Sequence, residues 1–273
     1  MEYFKVCEDD IINNKYISVH VVDTDIDIYN DIARKMVNKI KANNEKGLIV
    51  SFILPVGPKG QYKRFAQICN DEGIDCRNVV TINMDEYLDD NDEYIPMEHD
   101  LSFRNFMKTN LFDLLDDDKK IKPENIFFPD PNNLAELEKI ITELGGVDIC
   151  FGGIGINGHI AFNEPIDPEL IAVQDFKELG TRVLCIDKVT NVQNNISRGG
   201  HIEYYPTRCV TIGMKEILMS KSLKFYLEWD VQSAALRKAI FMEPTPAFPA
   251  SYLKTHHNSC IIISKNVLKQ YII

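Results

Sequence analysis

Short apolar runs that alternate with stretches of helical periodicity constrain this chain more than any other feature. Ile28, Ile32, Met36, Val37 and Ile40 recur at helical spacing, and Gly47 punctuates the turn into an apolar run at 48–54. A second helix is expected over 64–69, followed by a strand at 78–83 and a helix through Phe103, Phe106, Met107 and Leu111. Another helix starts near Asn133 and ends at Gly145-Gly146, and an apolar run follows at 147–151. Later strands are expected at 182–186, 208–212, 223–227 and 260–263, with a helix opening at Asp230 between the last two. This order implies right-handed βαβ units: an α/β chain with a mostly parallel sheet and helices on both faces. Without an internal repeat or a composition break, residues 1–273 read as a single domain.

Charge and cysteine usage narrow the function classes. The chain carries 41 acidic and 30 basic side chains, a formal charge of −11, which argues against nucleic acid or an anionic membrane surface as partner. No apolar stretch reaches the roughly 18 residues of a membrane span, and the opening segment lacks the basic-then-apolar order of a signal peptide. Seven cysteines form no CxxC pair and mostly sit in apolar segments, as in a reduced, cytoplasmic protein. Asp23-Asp25-Asp27 and Asp89-Asn91-Glu93 alternate oxygen ligands like calcium loops, but neither has Gly at the sixth position or Glu at the twelfth. Asp116-Asp117-Asp118 reads as a solvated loop, and His256-His257 with Cys260 lacks a second ligand pair, so no metal is expected.

Ligands on open α/β sheets bind beyond the carboxyl ends of the strands, and three strand ends here are chemically unusual. They are Pro55-Val56-Gly57-Pro58-Lys59-Gly60, Met84-Asp85-Glu86-Tyr87, and the glycine-rich run from Gly152 to His159. A carboxylate at a strand end, such as Asp85, can act as a base toward a carbon acid next to a carbonyl; otherwise Asp85-Glu86 is a solvated acidic turn. His159 and Glu164 are spaced to form a base and its orienter. Gly153, Gly155 and Gly158 fit the dinucleotide spacing G-x-G-x-x-G, but Asn163-Glu164-Pro165 interrupts where the crossover helix should continue. A tight loop between packed elements is the competing reading of that run.

Taken together, Asn83-Met84-Asp85-Glu86-Tyr87, the segment from Gly152 to Pro165 and Val210-Thr211-Ile212-Gly213-Met214 resemble the glucosamine-6-phosphate deaminase (isomerase) family. That family shares a superfamily with the 6-phosphogluconolactonases, which generally lack the Phe162-Asn163-Glu164-Pro165 ending. The resemblance implies a Rossmann-like fold, no metal or nucleotide cofactor, a sugar or sugar-phosphate substrate, and often a homo-oligomer. By it, Asp85 moves a proton between C2 and C1 of the opened sugar, His159 opens the ring, and Glu164 orients His159. Gly57, Gly153, Gly155 and Gly158 offer amides to the substrate, Glu86 beside the base is expected to bind the substrate as well, and Lys59 and Arg182 (with Arg64 and Arg237) are the cations available to an anion. The departures are as informative. Asn157 stands where the family's ring-opening relay has Asp, and Val56 and Pro58 replace hydroxyl and amide donors of its phosphate loop. Asp187 and Gln232 align with its phosphate-binding Arg and Lys. These departures leave open a non-catalytic sugar sensor or an isomerase of a sugar without phosphate.

Overall fold

The computed structural model describes residues 2–196 and 199–270. Ten strands form among these residues, in chain order: β1 (Ser18–Val22), β2 (Val50–Leu54), β3 (Val79–Asn83), β4 (Asp85–Leu88), β5 (Ile126–Phe127), β6 (Ile149–Gly153), β7 (Arg182–Cys185), β8 (Arg208–Thr211), β9 (Leu223–Leu227) and β10 (Ser259–Ser264). Seven of them make one parallel sheet in the order β1-β10-β9-β6-β2-β3-β5. Nine α-helices accompany them among the described residues: α1 (Glu8–Ile12), α2 (Asp25–Asn44), α3 (Gln61–Glu72), α4 (Phe103–Asn110), α5 (Glu136–Glu143), α6 (Val173–Lys177), α7 (Lys188–Ile196), α8 (Met214–Leu218) and α9 (Ser233–Phe241).

The two-residue period of a strand explains how one sheet carries two cores. In β2, Val50, Phe52 and Leu54 pack with Ile32, Met36 and Val37 of α2 and with Phe65 of α3. Ile53 points the other way, into the cluster of Leu137 and Ile141 of α5 and Leu236 and Ile240 of α9. The apolar run expected at 48–54 pairs only from Val50; Leu48 and Ile49 precede the first ladder partner and stay exposed. α2 begins at a capping box in which Thr24 accepts from the Asp27 amide and the Asp27 carboxylate accepts from the Thr24 amide. The acidic run at 23–27 therefore serves a helix start, and the Asp89 carboxylate likewise accepts from the amides of Asn91 and Glu93 in its own turn. No helix among the described residues is long and apolar enough to cross a membrane.

Two expected members of the parallel sheet lie elsewhere. β7 and β8 pair antiparallel with each other, and β8 pairs antiparallel with β4, forming a separate three-stranded sheet. Local pattern identifies a strand but not its partner, and the half-exposed β7 lacks the burial on both faces that a central parallel strand needs. The segment after β3, read as a strand-end loop, becomes β4. This small sheet closes over the carboxyl ends of the large one, with a core of Tyr87, Ile95, Leu101, Phe162 and Tyr205.

Candidate active site

A cavity of about 520 Å³ opens where the ends of β2, β3, β6 and β9 meet the small sheet. Its floor includes Gly57 and Lys59 after β2, Met84 and Asp85 after β3, Gly153 and Gly155 from β6 and its loop, and Glu228 after β9. Aromatic rings of Tyr87, Phe103, Phe162 and Tyr205 wall one side, with Tyr87 against Phe103 and Phe162 at centroid distances of 4.9 and 5.4 Å. Six of the residues expected at the site therefore reach the cavity: Asp85, His159, Gly57, Lys59, Gly153 and Gly155.

Asp85 faces the cavity because of strand alternation. On β4, Asp85 and Tyr87 point inward, so Glu86 must point out. Glu86 is fully buried and accepts from the Tyr87 amide, the Ser102 hydroxyl, the amides of Phe103 and Arg104, and the Arg104 guanidinium. It anchors the start of α4 and does not line the cavity, a correction to the expectation that it binds the substrate. Asp85 is also buried, and desolvation, followed by the charge of Glu86, raises its pKa from 3.8 to about 8. A carboxyl poised there can take up and return a proton near neutrality.

His159 is held from behind by a network in which every group has a defined role. Its Nδ1 lies 2.7 Å from Asn157 Oδ1 and 2.9 Å from Thr190 Oγ1. Asn157 Nδ2 donates to Glu164 Oε2 and to Thr190 Oγ1, both at 3.1 Å, and the Thr190 hydroxyl donates to Glu164 Oε2 at 2.9 Å. With Nδ1 protonated and shared between Asn157 and Thr190, all these donors and acceptors pair, and Nε2 is left for the cavity. Glu164 lies 3.9 Å from His159 Nδ1 and so acts on it through Asn157 and Thr190. Burial lowers the His159 pKa to about 4, against the opposing charge of Asp187, so the ring is neutral at pH 7. Burial raises Glu164 to about 7, opposed by the hydrogen bonds from Thr190 and Asn157. Gly155 is required beside the ring, since a Cβ there would come within 2.0 Å of His159 Cε1. Gly158, expected to offer an amide to the substrate, has φ +89° and its open face packs on Phe248, so it shapes the loop and does not line the cavity.

The other expected anion ligands lie elsewhere. Arg182 donates to Asn163 Oδ1 and the Gly180 carbonyl, outside the cavity, where it holds the Phe162-Asn163-Glu164 turn. Arg64 donates to Asn30 and Gln67, and Arg237 is buried against the carbonyls of Val6, Ser233 and Leu268. Asp187 does not face the cavity either: its carboxylate accepts from the Val189 amide at the start of α7, while its own amide donates to Glu164. Gln232 does line the cavity, with its carbonyl accepting from the amides of Glu228 and Trp229 and its amide donating to the Ile154 carbonyl. Thr190 was invisible in sequence because a threonine in a first helical turn has no chemical signature. Glu228, directly after the run at 223–227, could have been found by inspecting that strand end as the other three were.

No family model matches the chain. It is 32% identical over 210 residues to glucosamine-6-phosphate deaminase 2 of Giardia intestinalis, covering 75% of this chain and 73% of that protein. It is 34% identical over 216 residues to glucosamine-6-phosphate deaminase of Caenorhabditis elegans, covering 76% and 74%. Among solved structures, a monomeric glucosamine-6-phosphate deaminase superposes with a TM-score of 0.78 at 25% identity, over 92% of this chain and 98% of that one. The 6-phosphogluconolactonase of Trypanosoma brucei superposes with a TM-score of 0.67 at 16% identity, over 93% and 98%, a likeness of fold.

Proposed function

This chain belongs to the glucosamine-6-phosphate deaminase family, and from that premise we propose that it is an amino-sugar deaminase/isomerase whose proton transfers run through Asp85 and His159. One observation carries the assignment of residues: the Asp85 carboxyl and the His159 ring line the same cavity from the ends of different strands. In this reading the unprotonated Nε2 of neutral His159 takes the proton of the anomeric hydroxyl and delivers it to the pyranose ring oxygen as the C1–O5 bond breaks, leaving the open-chain aldehyde. Asp85, once ionised, takes the C2 proton next to the aldehyde and returns it to C1 through an enediol-type intermediate. The resulting C2 iminium adds water at C2, and the carbinolamine so formed breaks its C2–N bond, releasing ammonia and leaving a ketose. Asn157 serves His159 without a charge of its own: its carbonyl fixes the ring tautomer and its amide passes on the pull of Glu164.

The test is ammonia and ketose release from a panel of 2-amino-2-deoxy sugars, free and phosphorylated. Release that disappears in Asp85→Asn supports the reading; silence across the panel together with tight binding would convert the protein into a sugar sensor. We also infer a cytoplasmic location, for which the support is seven free thiols, five of them buried. A homo-oligomer is the assembly expected from the family, the monomeric solved relative is the contrary precedent, and light scattering decides between them.

A further inference from the structure

The end of the cavity away from Asp85 has its own chemistry. β9 is separated from β3 by β6 and β2, three inter-strand spacings or about 14 Å. Asp85 and Glu228 reach inward from these two strand ends, leaving room on the scale of a six-carbon sugar. Around Glu228 the cavity is built from Tyr29, Val56, Pro58, Trp229 and Gln232. Pro58 has no N–H, Val56 no polar side-chain atom, and Gln232 commits its carbonyl and one of its two amide N–H groups to the backbone. Lys59 is the single Lys or Arg among the described residues lining the cavity, and its charge falls on Glu228. Arg64, Arg182 and Arg237 are committed to other partners.

Glu228 as a carboxylate is an acceptor-only group, and its Oε2 is buried with no hydrogen-bond partner among the described residues. Burial, with the charge of Asp25, pushes its pKa up, while the Tyr29 hydroxyl and Lys59 favour its charged form. A phosphate dianion at this end would meet that carboxylate with one cation to offset it. A hydroxyl would instead supply the donor that the carboxylate lacks.

We propose that the substrate is an amino sugar whose terminal carbon carries a free hydroxyl and not a phosphate, with Glu228 as the residue that accepts this hydroxyl and excludes the phosphate. The proposal rests on the deaminase/isomerase reading above and names the substrate class of the same site.

The experiment compares D-glucosamine with D-glucosamine 6-phosphate by ammonia release. It also compares 2-amino-2-deoxy-D-glucitol with its 6-phosphate by calorimetric titration. The free sugar is expected to show at least a tenfold higher kcat/KM and the free polyol at least tenfold tighter binding. Glu228→Gln, which keeps the shape and removes the charge, should narrow both preferences about tenfold. A preference for the phosphorylated compound, or a Glu228→Gln ratio equal to that of the parent, overturns the proposal while leaving the deaminase/isomerase reading intact. If neither sugar is turned over, that reading fails and the titration decides alone. Tighter binding of the free polyol then supports the hydroxyl subsite, and tighter binding of its phosphate, or no binding of the free polyol, overturns it.

Discussion

Replacing Asp85 by Asn separates catalysis from stability, because the same burial that suits this carboxyl to proton transfer makes it costly to fold. Asp85 is buried with Glu86 beside it, and its pKa stands at about 8 against an ordinary value of 3.8. At pH 7 the unfolded chain has released this proton and the folded chain has kept it. At about 1.4 kcal/mol for each pH unit between 3.8 and 7, folding pays roughly 4 kcal/mol for the carboxyl. Asn has the same shape and no such cost. With an unfolding entropy of about 2.1 cal/mol/K per residue, 4 kcal/mol over this chain raises Tm by about 7 °C. The sign of the pH dependence follows from the raised value. The cost is absent below pH 4, grows to about 1.6 kcal/mol (about 3 °C) at pH 5, and levels off above pH 8. Asp85→Asn should meanwhile lower kcat by a factor of about 10² to 10⁴. Differential scanning fluorimetry of both proteins from pH 4 to 8.5, with ammonia release on the same samples, measures both effects. A variant that melts lower than the parent at pH 7, or a Tm difference that does not widen with pH, would refute the claim that Asp85 is held protonated. Retained turnover would refute its role as the base.

The remaining predictions concern the groups around this carboxyl. In the parent enzyme kcat/KM should rise with pH and be half-maximal near pH 8, where Asp85 ionises, with no inflection from His159 above about pH 4; a profile flat from pH 6.5 to 9 contradicts this. Thr190→Val removes the hydroxyl that touches both His159 Nδ1 and Glu164 Oε2. It should cost about 1–2 kcal/mol in urea unfolding and roughly tenfold in kcat, with Thr190→Ser restoring both. Glu86→Gln breaks a buried carboxylate out of its hydrogen-bond set at the start of α4. It should destabilise by about 3 kcal/mol in urea while KM of the folded fraction is unchanged; a shift in KM instead would return Glu86 to the substrate.

Much of the frame was legible because it depends on local pattern. The helix of Ile28, Ile32, Met36, Val37 and Ile40 and the run at 223–227 form where their spacing places them. Asp85 and His159 were legible through the rule that strand ends carry the chemistry, sharpened by motifs whose order along the chain is specific. Glu86 was misread because adjacent residues on a strand face opposite ways, and nothing in the pair Asp85-Glu86 says which faces the cavity until β4 is known to be a strand paired with β8. Arg182 was misread for a related reason. A guanidinium has reach enough for many partners, and only the folded Phe162-Asn163-Glu164 turn brings Asn163 Oδ1 to 2.8 Å from it.

The alternation of apolar runs and amphipathic helices thus determined, without help from the fold, an α/β chain built on a parallel sheet, since burial of each face is a property of nearest neighbours along the chain. Which strands leave that sheet, which of two adjacent carboxylates faces the cavity, and how Asn157 and Thr190 connect His159 to Glu164 were decided by tertiary structure alone. Those outcomes depend on contacts between residues up to 126 positions apart, as in Asp85 against Thr211, and a long-range pairing leaves no trace in either segment's own periodicity.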